Sequence, residues 1–111
     1  MANTFLNAVF DGSNTAASTA MNVYTAGSNV TATVVIGLTL ANTSSSQITA
    51  DIILNAGGSV FLAKAIPIPA GASFEYMGGN KIVMEANHTI TVKSSAANSL
   101  DTVLSYMEIT P

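Results

Sequence analysis

His88 is the single histidine of this sequence, and the single side chain whose ordinary pKa lies near neutrality. A nucleophilic triad would need it beside a serine and a carboxylate, on a strand-turn-helix elbow of the form G-x-S-x-G. No such elbow exists; Gly71-Ala72-Ser73-Phe74-Glu75 lacks the last glycine. His88 stands in Asn87-His88-Thr89 at the entry to a predicted strand, where an exposed or hydrogen-bonding role is expected. The six carboxylates, Asp11, Asp51, Glu75, Glu85, Asp101 and Glu108, fall one to a segment. They form neither H-E-x-x-H nor a calcium loop, although two could still meet in space as a glycoside-cleaving pair does. Gly78-Gly79-Asn80-Lys81 lacks the spacing of a phosphate loop and reads as a β-turn. With no cysteine, disulfides and thiolate metal sites are excluded. The expectation is a chain with no catalytic residue, no metal and no cofactor.

What must position or dispense with chemistry here is one domain of 111 residues, a length that supports a single core. Hydrophobic residues make up 49% and charged residues only 8%, against about 25% in ordinary soluble proteins. A folded chain of this mass exposes roughly 5,700 Å² by the surface scaling law, and nine charged side chains cover about a sixth of that. Serine, threonine and asparagine must supply the remaining polar surface. Lys and Glu are depleted where proteins bury themselves in one another, so a nearly uncharged exterior favours a subunit of an assembly.

The net charge is −3, with three lysines and no arginine. Nucleic acid is an unexpected partner, because displacing phosphate counterions takes several clustered cations, and an anionic membrane is disfavoured for the same reason. The start, Met1-Ala2-Asn3-Thr4-Phe5, lacks a basic segment and a long apolar one and does not read as a secretory signal. The longest nearly apolar stretch, 32–41, is too short for a membrane span. Sugar binding would want exposed aromatic platforms, for which only Tyr24, Tyr76, Tyr106 and four phenylalanines are available. Three Asn-x-Ser/Thr sites, at Asn29, Asn42 and Asn87, are about what chance provides in so hydroxyl-rich a chain.

Apolar residues recur with period two. The clearest run sets Val34, Ile36, Leu38 and Leu40 on one face and Thr33, Val35, Gly37 and Thr39 on the other. The next sets Ile48, Ala50, Ile52 and Leu54 inward, and Asn42-Thr43-Ser44-Ser45-Ser46 between the two runs predicts a hairpin. Further strands are predicted at 60–66, 73–77, 82–85, 89–93, 4–10, 22–25 and 102–109, with Pro67 and Pro69 forcing an edge or connector. Eight or nine short strands and no long helix predict an all-β fold: a single antiparallel β-sandwich, jelly-roll-like.

Residues 1–20 carry Phe5, Leu6, Val9 and Phe10 ahead of a sparse stretch at 11–19. They are either the first strand of the domain, the favoured reading, or an arm that docks on a neighbour by strand addition. The last strand is apolar on both faces, Val103, Met107 and Ile109 on one and Leu104 and Tyr106 on the other, where a sandwich strand normally has a wet face. Phe5, Leu6, Val9, Phe10, Tyr106, Met107 and Ile109 are therefore the expected subunit-contact residues.

Ala2-Asn3-Thr4-Phe5, Val23-Tyr24-Thr25, the run from Val34 to Asn42, Ile66-Pro67-Ile68-Pro69-Ala70-Gly71, the run from Ile90 to Ser95 and the closing Ser105-Tyr106-Met107-Glu108-Ile109-Thr110 together resemble a group of roughly hundred-residue virion structural proteins of tailed phages, cyanophages included. The resemblance spans nearly the whole chain and implies a β-sandwich structural component. It further implies a capsid cement or decoration protein, a homotrimer seated on the major capsid protein, made in the host cytoplasm and located in the virion. A neck, tail or baseplate subunit is the alternative within that class; a carbohydrate- or receptor-binding module is the alternative outside it.

Overall fold

A computed structural model describes residues 2–12, 16–76 and 82–111. Every regular element in it is a strand: β1 (Ala2–Phe10), β2 (Met21–Thr25), β3 (Ala32–Asn42), β4 (Ile48–Asn55), β5 (Ser59–Ile68), β6 (Ser73–Tyr76), β7 (Ile82–Met84), β8 (Thr89–Ser94) and β9 (Leu100–Thr110). The predicted turn at Gly78-Gly79-Asn80-Lys81 lies outside the described residues. No helix among the described residues is long and apolar enough to cross a membrane.

The strands form two antiparallel sheets. In the first the order is β1-β9-β3-β6, with β7 also on β3; in the second it is β2-β8-β4-β5. Apart from β4–β5 and β6–β7, successive strands pass from one sheet to the other, so each sheet interleaves early and late parts of the chain. This is the jelly-roll arrangement, the doubled Greek key by which an antiparallel chain covers one face of each sheet with the other. The accessible surface, 5715 Å², matches the scaling expectation.

Two local expectations are corrected. β3 and β4 do not form a hairpin: β3 pairs with β6, β7 and β9, while β4 pairs with β5 and β8. The serine-rich turn between them is a crossover between sheets, and Asn42 builds it. This residue is 2% exposed; its Nδ2 donates to the carbonyls of Ser46 (2.8 Å), Ile68 (2.9 Å) and Pro69 (3.2 Å). Its Oδ1 accepts from the Ser44 amide (2.9 Å) and hydroxyl (2.8 Å). One side chain thereby ties the end of β3 to the crossover and to the end of β5, and it leaves no amide free for glycosylation.

The second correction is the phase of β3. Its register on β9 shifts between Val35 and Gly37, a bulge that places one extra residue on one strand. Thr33 and Val35 therefore point inward with Leu38 and Leu40, while Ile36 is 39% exposed. Between the sheets lie Leu38, Leu40, Ile52, Ile68, Met84, Ile90, Val92, Leu100 and Leu104, each nearly or wholly excluded from water. Burying one such side chain stabilises by about 1.5–3 kcal/mol, and this core is what holds both sheets' outer faces in place.

At one end of the core, the rings of Tyr24 and Tyr106 meet at 4.3 Å. The Tyr24 hydroxyl donates to Glu108 Oε2 (2.7 Å) and shares a 3.0 Å hydrogen bond with Thr33 Oγ1. Burial pushes the Tyr24 hydroxyl up to about 12, the Glu108 carboxylate adding to the rise and Thr33 opposing it. Tyr106 is raised too, by burial and then by the charge of Glu108. Both phenols stay neutral in ordinary solution.

Candidate subunit interface

His88, the one candidate for proton chemistry, is engaged locally: its Nδ1 accepts the Glu85 amide at 3.1 Å, closing the turn into β8. Among the described residues no group of three or more His, Asp or Glu side chains could hold a metal. A polar recess of about 190 Å³ lies at Ser18, Thr49, Asp51, Lys93, Ser94 and Ser95; Asp51 Oδ1 accepts the Ala65 amide there at 2.7 Å. Tyr24 and Tyr106 are buried, 8% and 7% exposed, so neither is a platform for a sugar ring.

The unusual feature is the outer face of the first sheet. Directly opposed residues of an antiparallel pair share a face, so the register shows which side chains stand together. Phe5 is opposite Met107, Met107 opposite Val34, and Val34 opposite Val83, which makes one apolar row across β1, β9, β3 and β7. Strands lie 4.7–4.9 Å apart, so the row is about 14 Å long. A second row runs through Val9, Val103, Thr39 and Glu75. Between them Asn7, Ser105 and Gly37 form a low row. Gly37 has no other group within 4 Å of where a Cβ would stand, and a groove of about 340 Å³ opens over Gly37, Ser105, Thr39, Ile36 and Tyr76. Phe5 (73% exposed), Val9 (68%), Val83 (60%) and Val103 (42%) face solvent on this side. Contiguous apolar surface of this kind marks interaction sites on soluble proteins.

The seven residues expected to make contacts separate into three groups. Phe5, Val9, Met107 and Ile109 share the outer face, Ile109 opposite Asn3 and Ala32. Leu6 and Phe10 point to the other side of β1; Leu6 is 41% exposed at the sheet edge, and Phe10 packs against the core. Tyr106 faces inward and is buried against Tyr24, so its ring is spent within the chain and offers no contact surface. The physical reason is alternation: Tyr106 and Met107 are neighbours in sequence and cannot share a face. Val34 and Val83 were not anticipated, because their place in the row depends on pairings between distant segments.

β1 is also the edge of its sheet. It pairs with β9 through nine residues without interruption, and its end is fixed where the Gly12 amide donates to Asp101 Oδ1 at 2.8 Å. A Cβ on Gly12 would stand 1.8 Å from the Leu100 carbonyl oxygen, a contact only glycine permits. None of the nine residues of β1 is buried.

No family model and no curated protein matches this chain. Among solved structures, a chain of the Bacillus endospore appendages, described as disulfide-linked pili, is 16% identical with a TM-score of 0.57, covering 98% of this chain and 87% of that one. This chain has no cysteine with which to form such links. A chain of the acid-stable capsid of a Helicobacter pylori bacteriophage is 13% identical with a TM-score of 0.53, covering 100% of this chain and 90% of that one. A chain of the infectious bursal disease virus particle is 9% identical with a TM-score of 0.61; the match covers 97% of this chain but only 31% of that one. At these identities the shared property is the fold, and this chain is similar to the two-sheet β-sandwiches found in viral shells and in a bacterial pilus.

Proposed function

We propose that this chain is a structural subunit of a phage virion, of the capsid cement or decoration type, without enzymatic activity. It acts as a homo-oligomer, a homotrimer in this reading, seated on the major capsid protein after synthesis in the host cytoplasm. The observation that carries the proposal is the outer face of the first sheet, where exposed Phe5 and Val83 line up with half-buried Met107 and Val34 without charge among them. The fold's likeness to chains of a phage capsid and of a viral particle supports the same reading.

The physics is mass action. A protein that binds only the assembled shell stabilises it by RT ln(1 + [L]/Kd) at each site, about 2.7 kcal/mol at a hundredfold excess over Kd. Summed over many sites, modest contacts suffice, and no bond is made or broken. The experiment is cryo-electron microscopy of purified particles, with mass spectrometry of their proteins. Density for this sandwich on the shell surface is expected, with the Phe5 face turned toward the capsid protein. Density on the neck, tail or baseplate would reassign it within the virion, and its absence from particles would refute the proposal.

A further inference from the structure

A strand at the edge of a sheet leaves every second N–H and C=O along its free side unpaired. Natural sheets guard such edges with charge, proline, bulges or brevity. Three edges here are guarded. β5 carries Lys64, Pro67 and a left-handed Ala65 (φ 54°), and Lys64 Nζ sits 4.2 Å over the Phe61 ring. β2 has five residues and a bulge between Asn22 and Tyr24. The edge beyond β3 is divided between β6 and β7, four and three residues long. β1 has no guard: nine residues, no charge, no proline and no bulge.

Among the described strands, the one edge that a second copy could offer to β1 is its own β1. From this we infer that two copies pair through β1 about a two-fold axis centred on Asn7. The pairing deepens the reading of this chain as an assembling subunit and rests on it. A two-fold axis makes a strand antiparallel to its own copy. Centred on Asn7, it sets Phe5 opposite the partner's Val9 on the outer face and Leu6 opposite the partner's Ala8 on the other. The three exposed apolar residues of β1 each gain an apolar neighbour, the aromatic and β-branched pairing that stabilises sheets.

Neighbouring registers lack this match. An axis on Leu6 sets Phe5 opposite the partner's Asn7; an axis on Ala8 sets it opposite the partner's Asp11. An axis between residues would set an outward side chain opposite an inward one, which an antiparallel pair does not allow; between Asn7 and Ala8 it would oppose Phe5 to the partner's Phe10, whose ring packs against its own core. In the Asn7 register no charged residue opposes its own copy. The joint sheet runs through eight strands and merges the two outer apolar faces into one band. A contact of this symmetry joins free pairs or neighbouring trimers alike.

The chain has no cysteine, so Asn7→Cys is a clean reporter. Opposed residues of an antiparallel pair have Cα atoms about 4.5–5.5 Å apart, within disulfide range. Mild oxidation of the purified N7C protein is expected to give a covalent pair of doubled mass, while N3C, four residues along β1, gives none. Asn7→Lys places like charges face to face and is expected to weaken self-association at least about tenfold in sedimentation. Its thermal melt at concentrations dilute enough for both proteins to be monomeric should not change, because Asn7 is exposed in the single chain. No cross-link at position 7, equal cross-linking at position 3, or self-association unaffected by N7K would overturn the inference. Attachment to the shell is measured separately: N7K that reaches particles while failing to pair separates this contact from the virion reading, and N7C that cross-links while absent from particles sinks the virion reading alone.

Discussion

Replacing Phe5 by asparagine separates what this residue does for the chain from what it does for the proposed assembly. In the chain the ring is 73% exposed and no residue of its strand is buried, so the substitution removes little core contact. The loss in unfolding free energy should stay within about 0.5 kcal/mol, as for surface positions generally. In an assembly that covers it, the ring is a different quantity. A phenylalanine of about 200 Å², exposed to that extent, presents about 150 Å², and at about 25 cal/mol per Å² its burial contributes up to about 3.5 kcal/mol. Ordering and imperfect desolvation reduce this by up to about half its value, leaving about 1.5–3.5 kcal/mol, or a roughly 10- to 300-fold change in affinity. Urea unfolding of the protein at concentrations dilute enough to be monomeric measures the first number, and cosedimentation with particles stripped of the native protein measures the second. If F5N destabilised the isolated chain by more than about 1 kcal/mol, or bound particles as tightly as the parent, the assignment of Phe5 to an intersubunit surface would fall.

Asn42→Ala should cost about 3–5 kcal/mol in chemical denaturation, since it removes a side chain with five hydrogen bonds, one of them to the buried Ile68 carbonyl. Asn42→Asp should be worse near neutral pH, because a carboxylate would face three carbonyl oxygens without a donor; a D variant more stable than the A variant would show that the crossover is held otherwise. Tyr24→Phe should cost about 1–2 kcal/mol near neutrality through the lost bonds to Glu108 and Thr33. Because the Tyr24 pKa is raised from 10.0 to about 12, the parent's advantage is full below pH 10 and shrinks as the pH rises toward 12, where the unfolded chain ionises first. Parallel melts of the two proteins across that range check the sign, and a gap that widened with pH would contradict it.

The strand content of this chain was legible because alternation is local. In β9, Leu104 and Tyr106 fall inward and Val103, Met107 and Ile109 outward, as the period-two pattern requires. The phase of β3 was not legible past Val35, since the bulge that turns Ile36 outward is stabilised by pairing with β9, some seventy residues away. Nor was the destination of the 43–47 turn, because serine and asparagine serve a hairpin and a crossover equally, and only the carbonyls of Ile68 and Pro69 distinguish them. The outer face was half visible. Phe5, Val9, Met107 and Ile109 stood out by apolar character, but Val34 and Val83 join them through register alone, and the same criterion drew in Tyr106, which the core takes.

The pairing of β1 with β9 also has a timetable. β9 is the strand that joins β1 to β3, and it ends at residue 110. A ribosome adding about 5–20 residues per second takes roughly 5–20 s to make the intervening hundred positions. The second sheet can close once β8 has emerged, yet β1 waits, uncharged and without its neighbour, until the final strand is out. For that interval the nascent chain carries a sticky ribbon, and crowded polysomes are where its premature capture by another copy would first be seen.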